Sequence, residues 1–386
     1  MLARLLRVFS AAGVVLGMAG CANQHQANVQ SATLRWQSIR SSQMMALASQ
    51  QFATGDLDQA HKTVAEALSV DPRHAGLLVI GGRIGLERGE LERAGQWLAA
   101  AIQVDPKMAQ AHYYQGFLMQ RWEQFDAALA SYQRAYELQS DNVAHLLAAS
   151  EMLVALDRTD EALGLLQSKL GYFEHNGGIR DAMAKLCVLQ QRFDEACQFY
   201  SGALMLQPDD LQIREELAFA QLAAGQSEQA VATLELLCAQ HAVRDRRYLR
   251  LALAQAYRQT GRVAQARSIY VDLARSDPSY AEPWRQLAEL GWASDDLATT
   301  LTAAGRLIRL EPQQSPGYLW AGLVWARRDR VDLACELFAR GATADGGTSP
   351  AAMAAASFLE QMGQGSKDAM TYRKVLGTSS KTEPAG

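Results

Sequence analysis

Five cysteines and seven histidines are the side chains best able to bind metal, attack a carbonyl or carry a covalent group. The histidines are scattered and no cysteine or carboxylate cluster joins them, so no metal site is expected. There is no zinc-protease helix motif, no phosphate-binding glycine loop and no nucleophile elbow. Cys21 differs from the other cysteines in what precedes it. Arg4 and Arg7 form a positive start, Val8 to Met18 are apolar or small apart from Ser10, and Met18-Ala19-Gly20 lead into the thiol. The apolar stretch is shorter than the roughly 20 residues a membrane-spanning helix takes, and charge, length and small residues together predict a cleaved secretory signal over residues 1–20.

The Met18-Ala19-Gly20-Cys21 junction resembles the lipobox of bacterial lipoproteins, with methionine in place of the usual leucine. The resemblance implies that Cys21 becomes the lipidated first residue, carrying acyl chains such as palmitate. More than one chain gives stable anchoring, since each buried CH₂ contributes about 0.8 kcal/mol. Ala22, where an aspartate would signal inner-membrane retention, implies an outer-membrane address facing the periplasm. Residues 21–40 are rich in Gln, Asn and Ser, with little to bury, and read as a polar tether. Trp36 and Ile39 mark where packing begins.

The elements that follow repeat. Ala60, Ala94, Ala128, Ala162, Ala196 and Ala230 stand 34 residues apart; Pro72, Pro106 and Pro208 follow three of them by 12, and Ala48, Gly82, Gly116, Ser150, Ala184 and Ala218 precede them by 12. After Ala230 the phase slips by two residues and resumes at Ala266. Lys169 to Gly178 lacks the proline and holds Gly171, Gly177 and Gly178, which predicts a bend or weak joint. Thr300 stands where alanine is expected. Small residues let helix axes approach, and proline stops a helix because it lacks an N–H and clashes with the preceding turn. Asp71, Asp105 and Asp277, just before prolines, suit turns and caps for the next helix.

This pattern resembles the tetratricopeptide repeat family. The resemblance implies an all-α, right-handed superhelical solenoid of about ten hairpins over residues 41–377, followed by a loose tail at 378–386. One hairpin cannot cover its own apolar face, so the units stack and leave a concave groove. In this family the groove holds peptides or protein partners. Its first-helix positions here are Met45, Val79, Arg83, Tyr113, Phe117, Arg121, Leu147, Glu151, Glu215, Phe219, Tyr248, Arg285, Glu289 and Trp292. Tyr113, Tyr114, Phe117 and Arg121 form the cluster richest in interface-type anchors, the alternative being that these rings pack between hairpins. The lysine and asparagine pattern of carboxylate-clamp relatives is missing.

Cys187 and Cys197 fall on the two helices of one hairpin. A disulfide between them needs Cα atoms within about 7 Å, and the other reading is small buried thiols. The Arg244, Arg246, Arg247 and Arg250 run coincides with the phase slip and reads as a solvated connection. The formal net charge of −4 argues against nucleic acid. No catalytic domain fits beside the repeats, so no enzyme activity, cofactor or small-molecule substrate is expected. Lipobox plus repeats is similar to lipoproteins that help assemble pili, secretion channels or polysaccharide exporters. The alternatives are a regulatory subunit of an envelope enzyme and, with the signal misread, a cytoplasmic adaptor.

Overall fold

A computed structural model describes residues 28–29, 31–33, 35–240 and 246–363. The signal, Cys21, the phase slip around Arg244 and the tail at 378–386 lie outside these residues. The chain divides into two compact units, one ending at Gln190 and the other starting at Gln191. In unit 1, α1 runs through the described residues of 28–53, so helix already occupies much of the segment read as tether. It is followed by α2 (Leu57–Val70), α3 (Ala75–Glu87), α4 (Leu91–Val104), α5 (Ala109–Arg121), α6 (Phe125–Leu138), α7 (Val143–Ala155), α8 (Thr159–Lys169) and α9 (Gly177–Leu189). Unit 2 holds α10 (Phe193–Leu206), α11 (Leu211–Ala223), α12 (Ser227–Ala239), α13 (Arg247–Gln259), α14 (Val263–Ser276), α15 (Ala281–Ala293), α16 (Leu297–Leu310), α17 (Ser315–Arg327), α18 (Val331–Thr343) and α19 (Pro350–Gly363). Every regular element among the described residues is helical, as the repeat predicts, and within each unit successive helices pack on one another.

The phased alanines are the crossings. Ala60, Ala94, Ala128, Ala162, Ala196, Ala230, Ala266 and Ala334 are all fully buried. Opposite them, glycines make room for a large partner. A Cβ added at Gly82, Gly116 or Gly322 would stand 2.6, 2.8 or 2.6 Å from Leu98, Tyr132 or Phe338, so the ring or branched side chain occupies space that only glycine leaves open. Thr300 is fully buried like the alanines it replaces. Its hydroxyl donates to the Asp296 carbonyl at 3.1 Å, and Gly291 across from it supplies the missing volume, since a Cβ there would lie 2.6 Å from Thr300 Oγ1.

Each first helix ends on a residue in the left-handed region. Gly55 and Gly89 do this without strain, whereas Glu123, Asp157, Asp295 and Asp329 do it with φ between 58° and 59°. The reward is a closed turn: Gln124 N–H reaches the Met119 carbonyl at 2.9 Å, satisfying an acceptor the helix end would orphan. Asp71, Asp105 and Asp277 stop second helices, and each accepts the N–H two residues on, at 3.3, 3.0 and 3.1 Å. They therefore shape turns as expected, but the caps of the next helices are His74, Met108 and Tyr280. The proline-less stretch leaves α8 with 11 residues. The unit boundary falls at Gln190, one helix beyond the glycines that suggested a joint.

Candidate partner-binding faces

In unit 1 the first helices are tied by rings. The Arg83 guanidinium of α3 lies 4.5 Å from the Phe52 centroid on α1 and 4.9 Å from Tyr114 on α5. Tyr114 meets Tyr113 edge-on at 5.3 Å, and Tyr113 reaches Tyr132 of α6 at 5.4 Å and His145 of α7 at 5.2 Å. One arginine and five rings thus connect α1 to α7. Burial raises the Tyr113 and Tyr114 phenols and lowers the His145 imidazole, so each ring is held in its neutral form. His145 is 2% exposed, with Asn142 Nδ2 at 3.2 Å. Phe117 packs half-buried against Leu86, Leu98 and Leu118, while Arg121 stays exposed with its guanidinium 5.2 Å from the Phe117 centroid. Met45 is half-buried against the α1–α3 core. The tyrosines and Phe117 are therefore half-buried packing residues, and Arg121 is the exposed member of the cluster.

Beyond this stripe lies an open pocket of about 540 Å³ between α7 and α9. Leu147, Val154 and Leu189 give it apolar walls, and Glu151, Asp181 and Lys185 supply charge, Lys185 donating to Asp181 at 2.8 Å. Leu189 is 61% exposed. Asp181 and Lys185 lie 34 residues after Leu147 and Glu151. Sequence reasoning passed over them, although the repeat register pointed to both.

Unit 2 combines ring pairs with ion pairs. Phe219 and Tyr248 are 39% and 43% exposed, with ring planes 22° apart and centroids at 6.4 Å. Tyr248 donates to Glu215 Oε1 at 2.7 Å, and Arg246 pairs with Glu215 Oε2 at 2.8 Å. Arg285 is half-buried between Glu282 at 2.7 Å and Glu311 at 2.6 Å, so its charge is spent inside the fold. Glu289 is exposed but accepts from Arg258 at 2.7 Å. Trp292 stands 6.2 Å from Trp320 and carries the Arg327 guanidinium at 5.4 Å.

Matches to tetratricopeptide repeat models cover residues 45–109, 188–251 and 249–290. These segments are tetratricopeptide repeats. Solved tetratricopeptide repeat proteins resemble the chain at low identity. One from Parabacteroides merdae is 16% identical over 61% of this chain and 93% of its own, with a TM-score of 0.44. YrrB, described as having an unusual peptide-binding site, is 17% identical over 53% of this chain and 95% of its own, at 0.37. A thermophilic tetratricopeptide repeat protein from Thermus thermophilus is 23% identical over 47% of this chain and 99% of its own, at 0.39. Comparison with curated protein sequences finds no match. Repeats of this kind serve as scaffolds for protein–protein interaction.

Among the described residues no three His, Cys, Asp or Glu side chains converge as metal ligands, and no helix is long and apolar enough to cross a membrane. His112 sits against the Pro106 carbonyl at 3.0 Å, away from any cluster of ligands. Cys187, Cys197, Cys238 and Cys335 are thiols rather than disulfide halves, and all but Cys238 are buried. Burial pushes the Cys197 thiol up to about 11, which leaves it unreactive at neutral pH.

Proposed function

We propose that this chain is a lipid-anchored periplasmic scaffold of the outer membrane. It holds a protein or peptide partner along the first helices of its tetratricopeptide repeats while an envelope machine, such as a pilus, secretion channel or polysaccharide exporter, assembles. The pocket of about 540 Å³ between α7 and α9 carries the binding part of this reading, because it joins exposed apolar walls to a few charges. The positive start, apolar stretch and Cys21 support the anchor, and Ala22 supports the outer membrane.

Leu189 offers a clean test, being exposed and therefore dispensable for folding. Leu189→Asp is expected to cut partner recovery from detergent-solubilised membranes at least tenfold, about 1.4 kcal/mol, at an unchanged melting temperature. Full recovery would remove the pocket from the interface. Cys21→Ser is expected to leave the signal uncleaved or release the protein. Salt-resistant membrane attachment of a cleaved Cys21→Ser chain would end the anchor reading.

A further inference from the structure

The start of α1 extends past the hairpin it belongs to. Its partner α2 ends at Val70, which in an antiparallel pair brings it back only to about residue 40. The described side chains from 28 to 40 are exposed, apart from half-buried Gln37. Three of them are large and apolar: Val29 at 50%, Trp36 at 57% and Ile39 at 60% exposed. At about 100° per residue, Val29, Trp36, Arg40 and the exposed Leu47 fall on one stripe, with Ile39 at its margin. Met44, Met45, Ala48 and Phe52, which pack into the core, point roughly a third of a turn away. Among the described residues little packs on this stretch, and a helix that lacks packing is marginal in water, so the apolar stripe is suited to a partner surface.

Charge and reach define that partner. No Asp or Glu occurs between Cys21 and Asp56, whereas Arg35 and Arg40 both lie in the exposed segment, in a chain that is acidic as a whole. Arg40 sits 5.2 Å from the Trp36 ring centroid, a tryptophan–arginine pairing suited to a headgroup layer. Six residues, 22–27, stand between Cys21 and the first described residue of α1, and at about 3.5 Å each even a fully extended chain places Asn28 within roughly 25 Å of a lipidated Cys21. With an anchor in the bilayer, the helix start cannot leave the neighbourhood of the surface.

We infer that the exposed start of α1 lies on an anionic lipid surface, with Trp36, Ile39 and Val29 in the interface and Arg35 and Arg40 among the headgroups. This rests on Cys21 being lipidated. It adds a second point of attachment to the acyl chains and fixes how unit 1 is presented, which a flexible tether would not do.

The test uses the full lipoprotein reconstituted in vesicles of brominated phosphatidylcholine and phosphatidylglycerol, with the intact mass reporting the state of Cys21. Bromine quenches only tryptophan near the bilayer. The wild type is expected to lose part of its fluorescence, and Trp36→Phe to abolish that loss at an unchanged melting temperature. Quenching should fall when Arg35 and Arg40 are both changed to Gln, and when phosphatidylglycerol is omitted. A lipidated chain with no Trp36-dependent quenching would overturn the inference and leave the anchor standing. The same result with a dimer by light scattering would assign the stripe to a second copy. Quenching indifferent to phosphatidylglycerol and to the arginines would overturn the anionic surface. An unmodified Cys21 would remove the anchor and this inference with it.

Discussion

Units 1 and 2 share one repeat and differ in how much charge joins their successive hairpins. In unit 1 the link from α1 to α7 is made of rings and one sandwiched arginine. In unit 2 the ring pairs Phe219–Tyr248 and Trp292–Trp320 are joined by ion pairs between successive hairpins, Arg258 with Glu289 on first helices and Arg262 with Glu228 and Arg267 with Asp296 on second helices or their caps. Rings bury area and lose little to salt, whereas exposed pairs gain little and are screened. The same hairpin therefore presents two chemistries. Unit 1 offers an apolar pocket with few charges. Unit 2 offers exposed Phe219 and Tyr248 beside carboxylates already engaged by arginines.

The largest effect that could break this comparison comes from overfilling a crossing in each unit. Ala128→Leu and Ala266→Leu are each expected to destabilise by about 1–3 kcal/mol, because neither site has space for a larger side chain. Thermal melts followed by circular dichroism should show each substitution moving only the transition of its own unit. One transition shifted equally by both would mean that the units do not melt separately.

A smaller effect separates packing rings from exposed ones. Tyr113→Ala is expected to cost about 2 kcal/mol, since the ring is half-buried against Tyr132 and His145. Phe219→Ala should stay within about 0.5 kcal/mol, as surface changes usually do. Equal losses would show that both rings are core.

The smallest concerns pH. Burial holds His145 neutral below the 6.5 at which an unfolded histidine takes up a proton. Over that interval the unfolded chain binds the extra proton, so unit 1 should lose stability as pH falls below about 6.5. His145→Phe keeps the ring against Tyr113 and should flatten the slope. His61, also lowered by burial, should leave a remainder. An unchanged slope would mean that His145 charges freely in the folded state.

The 34-residue spacing of Ala60 to Ala230 made the fold legible, because a buried small residue is required at every crossing and its type shows in one letter. Placement on first helices was legible where the register ran clean, as at Arg83 on α3 and Tyr113 on α5. It failed for Asp181 and Lys185, which follow the glycine-rich interruption, and it overvalued Arg285, whose charge Glu282 and Glu311 absorb. The Glu311 pairing spans 26 residues and both pairings depend on rotamers, which no period encodes. The left-handed Glu123, Asp157, Asp295 and Asp329 were hidden because they are not glycine, although their spacing repeats. Nothing in the letters around Gln190 announces the boundary between units.

Thr300 and Gly291 are coupled by their geometry. Starting from alanine at both positions, the two changes are not interchangeable in order. Threonine first would drive its hydroxyl to 2.6 Å from a methyl group, while glycine first costs only the helix propensity of one residue, about 1 kcal/mol. The passable route concedes volume on α15 before claiming it on α16. Each substitution is thus deleterious or neutral depending on the other, and reversion of Gly291 to alanine is now blocked while Thr300 remains. A repeat array can drift from its own pattern in this way, one compensated pair at a time, and still keep every crossing filled.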